Sequence, residues 1–191
     1  MMPEITIENI IAAENQVEID PNAPYLRAYP EILRYFRNVN TFTRNEFIVG
    51  THIVYGWMPT ILEISSSDDV VDRAVDILNR VRQGAQINLV EMDVLKAAIN
   101  NSVVGASKVL HFMKPDSYPI WDSVVYKFIH GTNSQYQMGK VQNYLNYVSA
   151  CQQVAANEGF LPAYENMKIK IRYEITKIRA IEMIMYLSAG S

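Results

Sequence analysis

The chain has 191 residues, 49 % of them hydrophobic and 19 % charged, with a net charge of −3. Such a composition can bury a core and excludes wholesale disorder; the acidic balance argues against a surface that grips nucleic acid everywhere, while leaving room for a local basic patch. The single cysteine, Cys151, excludes an intrachain disulfide and a cysteine-built zinc site, and its helical surroundings predict a small core residue. The opening MMPEITIENIIAAENQ is acidic and mixed, and no window reaches the ~18 apolar residues a membrane span needs. The expectation is one soluble, cytoplasmic domain over residues 1–191, with no membrane association.

Helical periodicity dominates the chain. In PYLRAYPEILRYFRNV, Tyr25, Tyr29, Ile32, Leu33 and Phe36 recur at spacings of three and four, and Pro30 is placed near the start of the helix. Thr43 and Glu46 stand at a capping-box spacing before FIVGTHIVYGWMP. That run is apolar on nearly every side and reads as a buried central helix ending near Pro59, with a strand as the alternative. Ser65–Ser67 mark the N-terminal boundary of the amphipathic SSSDDVVDRAVDILNRVRQG, whose Val71, Ala74, Val75, Leu78 and Val81 face inward. Asn88 and Glu91 repeat the capping spacing before NLVEMDVLKAAINN. Two long helices complete the pattern, about 134–158 closed by Gly159 and 162–187 opened by Pro162. Repeats, low-complexity tracts and the helix–strand alternation of a parallel sheet are absent from the sequence. The fold class expected is all-α.

The chemistry-bearing residues are scattered. His52, His111 and His130 include no pair at the spacing that would set two imidazoles on one helix face, so packed or surface histidines are expected and neither metal nor cofactor is implied. Tyr55 to Pro59 reads as core or as a stacking surface for an aromatic ligand. In the last helical region Lys168, Lys170, Arg172, Lys177 and Arg179 are diluted by Glu165, Glu174 and Glu182, which reads as a solvated face rather than a phosphate-binding one.

One stretch is more pointed: GASKVLHFMKPDSYPIWDSVVYKFIHG. NNSVVGASKVLHFM reads as a helix end, a tight turn containing Gly105, and a second helix. The turn's N–H groups and the helix N-terminus could face a phosphate, helped by the hydroxyls of Ser102 and Ser107 and the charge of Lys108. A proline-bracketed turn follows, and Asp122 opens the next helix. Asp122 is either a cap for that helix or a carboxylate held there for chemistry.

The segment from about Val103 to Ile129 resembles the helix–hairpin–helix DNA glycosylase superfamily, especially its bacterial 8-oxoguanine-glycosylase-like branch. VVGASK is similar to the hairpin and YPIWDSVVYKFI to the Pro-to-Asp segment, while KIRAIEMIMYL resembles the end of such domains. The resemblance implies two helical lobes around a groove, the hairpin and Asp segment occupying about 98–130. It implies a base-flipping enzyme that cleaves an N-glycosidic bond in DNA. Asp122 would then be the carboxylate that activates the nucleophile, and Lys108 an attacking amine. Gly105, Ser107 and Ser102 would hold the DNA backbone, and Trp121 and Tyr118 would line the base pocket. A catalytically inactive helical module that binds nucleic acid or a protein partner is the alternative.

Overall fold

The computed structural model describes residues 5–57 and 61–189. Among these it holds eleven α-helices and a single isolated bridge, Ile64 to Ile99, in place of any sheet. The helices are α1 (Ile7–Glu14), α2 (Pro24–Asn38), α3 (Arg44–Trp57), α4 (Asp68–Arg82), α5 (Leu89–Ala98), α6 (Val103–Met113), α7 (Ser123–His130), α8 (Gln135–Met138), α9 (Val141–Ala156), α10 (Leu161–Ile171) and α11 (Lys177–Ala189). The all-α expectation stands. One continuous cluster of buried side chains runs from Ile10 to Met185. Helix α6 packs on α2, α3, α4 and α5, and α11 packs on α1, α7, α9 and α10.

The start signals read from sequence are the ones the helices use. Ser67 caps α4 by accepting from the Val70 N–H, and Asn88 with Glu91 forms a reciprocal capping box on α5. The five inward residues named for α4 are all buried. Thr43 and Glu46 are likewise hydrogen-bonded to each other at the mouth of α3.

One boundary and one burial pattern here differ from expectation. Helix α2 starts at Pro24 and carries Pro30 inside it. Pro24 already supplies the favoured first-turn proline, and burial of Leu26, Tyr29, Ile32, Leu33 and Phe36 carries the helix through the hydrogen bond that Pro30 cannot donate. Helix α3 is not enclosed on every side, because Ile48, Val49 and His52 face solvent. Pro59, expected to end it, lies outside the described residues.

Each of the two long C-terminal helices is broken. The first breaks at Gly139–Lys140, and the Met138 carbonyl beside the break accepts the Trp121 indole N–H at 3.1 Å. The second ends at Arg172, in the left-handed region at φ 69°, and the chain restarts at Lys177. Between them the Thr176 hydroxyl donates to the Pro115 carbonyl at 2.6 Å and accepts from the Arg179 N–H at 3.1 Å. In both places the break serves the segment before Asp122.

Candidate functional site

The chain from Pro115 to Trp121 leaves α6 without entering another helix, so its buried peptide groups need partners from elsewhere. Side chains supply them. The Pro115, Ser117, Pro119 and Ile120 carbonyls accept from Thr176, Gln152, Tyr144 and Tyr147 respectively. The Tyr118 carbonyl accepts from His111 Nδ1 at 2.7 Å. Ser107 Oγ accepts the Trp121 N–H at 3.1 Å and donates to the Val104 carbonyl at 2.8 Å. Donors from α6, α9 and the α10–α11 link thus fix one short extended segment, and Asp122 is its next residue.

Asp122 caps α7: Oδ1 accepts from the Val124 and Val125 N–H groups at 3.0 and 2.9 Å. Gly131, left-handed at φ 69°, closes the same helix. Asp122 is half-buried, and its second oxygen takes no part in the cap. Lys108, one helix away on α6, is also half-buried. Burial holds its amine below the ordinary lysine value, against the opposing pull of the Asp122 carboxylate. An amine that sheds its proton more readily than usual therefore feels the charge of a carboxylate at the start of the next helix.

Glu182, on α11, is charge-coupled to both and completely buried, and it is ion-paired with Arg179 one turn earlier. The guanidinium lies over the Tyr29 ring at 4.5 Å and the Trp57 ring at 5.8 Å. The two partners shift in ways that look opposed: Arg179 is driven further toward its charged form, whereas Glu182 is pushed up to about 7. Burial penalises both charges, but guanidinium does not give up its proton in proteins, so the acid is the member that yields, and the Asp122 charge adds to its burden. Around this pair stand Tyr25, Trp57, Tyr173 and Tyr186, all partly exposed, with Tyr25 and Tyr186 edge to face at 6.4 Å and the Trp57 indole donating to the Tyr25 carbonyl.

The structure places Asp122 at the start of α7 and Lys108 on α6, where the Asp122 charge acts on the amine, and redistributes the other expected site residues. Gly105 is not in the turn; it lies in the first turn of α6, and the reversal is made by Asn100 and Asn101, both at positive φ. The glycine is required by packing instead: a Cβ there would stand 2.1 Å from the Tyr55 hydroxyl oxygen. Ser102 caps α6 by accepting the Gly105 N–H at 3.1 Å, so each satisfies the other rather than a phosphate. Ser107 is fully buried with both its roles filled. Trp121 is fully buried and its N–H is used by Met138, while the Tyr118 hydroxyl accepts the Ile87 N–H at 3.0 Å. These two rings are core and offer no face to a base.

Arg179 and Glu182 are the reverse case: read as part of a solvated face, they are 2 % exposed. The signal for them was their spacing of three on a helix whose other residues are nearly all apolar, which is how a buried ion pair looks in sequence. His111 is buried, His52 exposed, and among the described residues no group of three His, Cys, Asp or Glu side chains could hold a metal. No helix of the described residues is long and apolar enough to cross a membrane. No family model, curated protein or solved structure matches the chain.

Proposed function

We propose that the protein is a DNA base-excision glycosylase-like enzyme that cleaves the N-glycosidic bond of a flipped, damaged or modified base. The reading is supported by Asp122, half-buried at the start of α7 with only Oδ1 used in its cap, and by Lys108, half-buried on α6, whose amine burial holds below the ordinary value. The two come from α6 and the start of α7, on either side of the extended segment. The packing of α2–α5 around α6 and of α1, α7, α9 and α10 around α11 supports a division into two helical groups, with Lys108 in the first and Asp122 opening a helix of the second.

In this reading Asp122 acts electrostatically. As the bond from C1′ to the base lengthens, its electron pair leaves with the base and positive charge grows on the sugar, where an ionised carboxylate stabilises it. The position is then completed by a water, whose proton Asp122 accepts, or by the neutral Lys108 amine, which forms a C1′–N bond, gives up a proton, and becomes an imine as the C1′–O4′ bond breaks and the sugar ring opens. The low amine value is what the second route requires, because only the deprotonated form attacks.

The test is base release from duplexes that each carry one damaged base, with borohydride present in parallel to reduce any imine into a permanent protein–DNA link. Wild type is expected to release base, and Asp122→Asn to slow release by about a hundredfold or more. A borohydride adduct lost in Lys108→Gln assigns the amine route, and release without adduct assigns water. Binding to duplex DNA without release of any base would instead identify a catalytically inactive nucleic-acid-binding module.

A further inference from the structure

Asparagine is a chemically labile residue. The backbone nitrogen of the next residue can attack its side-chain amide, most readily where that residue is small and its N–H is free. The chain holds no Asn–Gly step and two Asn–Ser steps, Asn101–Ser102 and Asn133–Ser134. Sequence alone makes the two equivalent, and both asparagines are exposed. The fold separates them.

At Asn101 the attacking group is engaged. The Ser102 N–H donates to the Ile99 carbonyl at 2.9 Å, Asn101 is held in the left-handed region at φ 47°, and Ser102 Oγ accepts the Gly105 N–H at 3.1 Å. Freeing that nitrogen means unwinding the cap of α6, a helix that is buried along most of its length. At Asn133 the group is free. Residues 131–133 are exposed, the Asn133 amide makes no hydrogen bond among the described residues, and the Ser134 N–H has no acceptor among them. Ser134 is tied instead through Oγ, which accepts the Gln137 N–H at 3.3 Å to cap α8.

The place of this loop gives the reaction a consequence. Helix α7 is opened by Asp122, the 131–134 loop leads on into α8, and the Met138 carbonyl at the end of α8 accepts the Trp121 indole N–H at 3.1 Å. The chain from Trp121 to Met138 is thus a closed ring with Asn133 in its exposed part.

We propose that Asn133 is a self-modification site, where the chain converts to an isoaspartyl linkage that lengthens this ring, and that the fold protects Asn101 from the same reaction. The Ser134 nitrogen gives its proton to a solvent base and bonds to Asn133 Cγ. The bond from Cγ to the amide nitrogen breaks, and ammonia leaves with a proton taken from water. Water then opens the succinimide. Cleavage of the new bond to Cγ yields aspartate, whereas cleavage of the original peptide bond yields isoaspartate. Both products add a negative charge, but only the second adds a methylene to the main chain between α7 and α8.

The experiment is prolonged incubation of the full folded chain at mildly alkaline pH, followed by mass-spectrometric peptide mapping of Asn101 and Asn133. A carboxyl methyltransferase specific for isoaspartyl groups identifies the linkage. Asn133 is expected to convert at least about tenfold faster than Asn101 in the folded chain, and the ratio should approach one in denaturant. An Asn133 that stays intact in the folded chain, or an Asn101 that converts as fast, overturns the proposal. Hydrogen exchange at the Trp121 indole N–H reads the lengthened ring. It should be faster in the purified isoaspartyl form and unchanged in Asn133→Asp, which carries the charge without the methylene. Asn133→Gln, incubated in parallel, should keep the exchange of the fresh protein. Equal indole exchange in the isoaspartyl form and in Asn133→Asp overturns the claim that the ring is lengthened.

Discussion

Tyr29 donates its hydroxyl hydrogen to His111 Nε2 across 2.7 Å, and the direction of that bond is fixed from the far side of the ring. His111 Nδ1 faces the Tyr118 carbonyl at 2.7 Å, and a carbonyl can only accept, so Nδ1 carries the proton and Nε2 is left as acceptor. A relay thus runs from the ring beneath Arg179 through a neutral imidazole to the backbone that leads to Asp122. Burial, with the nearby Arg179 charge, lowers His111 to about 3. A charged imidazole would have to surrender the bond from Tyr29.

The first prediction concerns pH. Below about 6.5 the unfolded chain protonates His111 while the folded chain refuses the proton down to about 3. Stability therefore falls as pH falls through that interval, by ~1.4 kcal/mol per unit for one proton. Glu182 acts with the opposite sign: its folded value of about 7 lies above the ordinary 4.5, so the folded chain keeps a proton the unfolded chain loses, and stability falls as pH rises between those values. The two slopes offset one another from about 4.5 to 6.5. Denaturant unfolding at stepped pH should show that Glu182→Gln steepens the acid-side decline in this interval. Parallel curves for wild type and variant would rule out the raised carboxyl.

Gly105→Ala tests why that glycine is there. If the residue served a turn, a side chain would matter little inside what is in fact a helix, where alanine is the better helix former. Because a Cβ would meet Tyr55 and Ile99 instead, the substitution should destabilise by about 1–3 kcal/mol through overpacking. Shortening the neighbour in the double variant with Tyr55→Phe should recover part of the loss. A stabilised Gly105→Ala would mean that α3 and α6 are not in contact there.

The pattern of success along the chain has a physical cause. Ser67, Asn88 and Glu91 are local devices: their partners lie within three residues, so spacing alone reveals them. Asp122 was legible for the same reason, as the opener of α7. Ser107 and Trp121 were not, because the bond joining them spans two elements and only the fold places the serine hydroxyl under the Trp121 N–H. The breaks at Gly139–Lys140 and after Arg172 were missed because apolar periodicity continues across them, while long-range bonds from Trp121 and Thr176 decide where the helix yields. The Arg179–Glu182 pair was visible as residues but not as a site, since burial of an ion pair is a property of the whole packing.

Ser107→Ala should therefore cost more than a surface serine would. It leaves the buried Trp121 N–H without its acceptor, a loss of about 1–3 kcal/mol. It should also loosen the segment that delivers Asp122. Ser102→Ala removes a half-buried cap on the same helix and is expected at about 1 kcal/mol, with no effect on the Asp122 segment. Hydrogen exchange at the Trp121 amide separates the two: faster in Ser107→Ala, unchanged in Ser102→Ala. Equal exchange in both would show that the serine clip does not hold the segment.

Asp122 itself carries the last prediction, because it has two duties on one carboxyl group. As the cap of α7 it needs only an acceptor oxygen for the Val124 and Val125 N–H groups, and asparagine provides one. As the charge beside Lys108 it needs ionisation, which asparagine cannot provide. Asp122→Asn should thus unfold within a few tenths of a kcal/mol of wild type, while Asp122→Ala loses the cap and about 1 kcal/mol. The Lys108 amine reports the charge directly. With the Asp122 carboxylate gone, its upward pull on the amine disappears and burial acts alone, so the value should fall further. Reductive methylation with ¹³C labels every lysine, and NMR titration of the signal that disappears in Lys108→Gln reads that value. A drop in both variants, together with a stability loss in Ala only, would separate charge from cap. A Lys108 titration that ignores both substitutions would show that the two side chains do not interact, and with it the chemical role of the pair would fall while the cap remained.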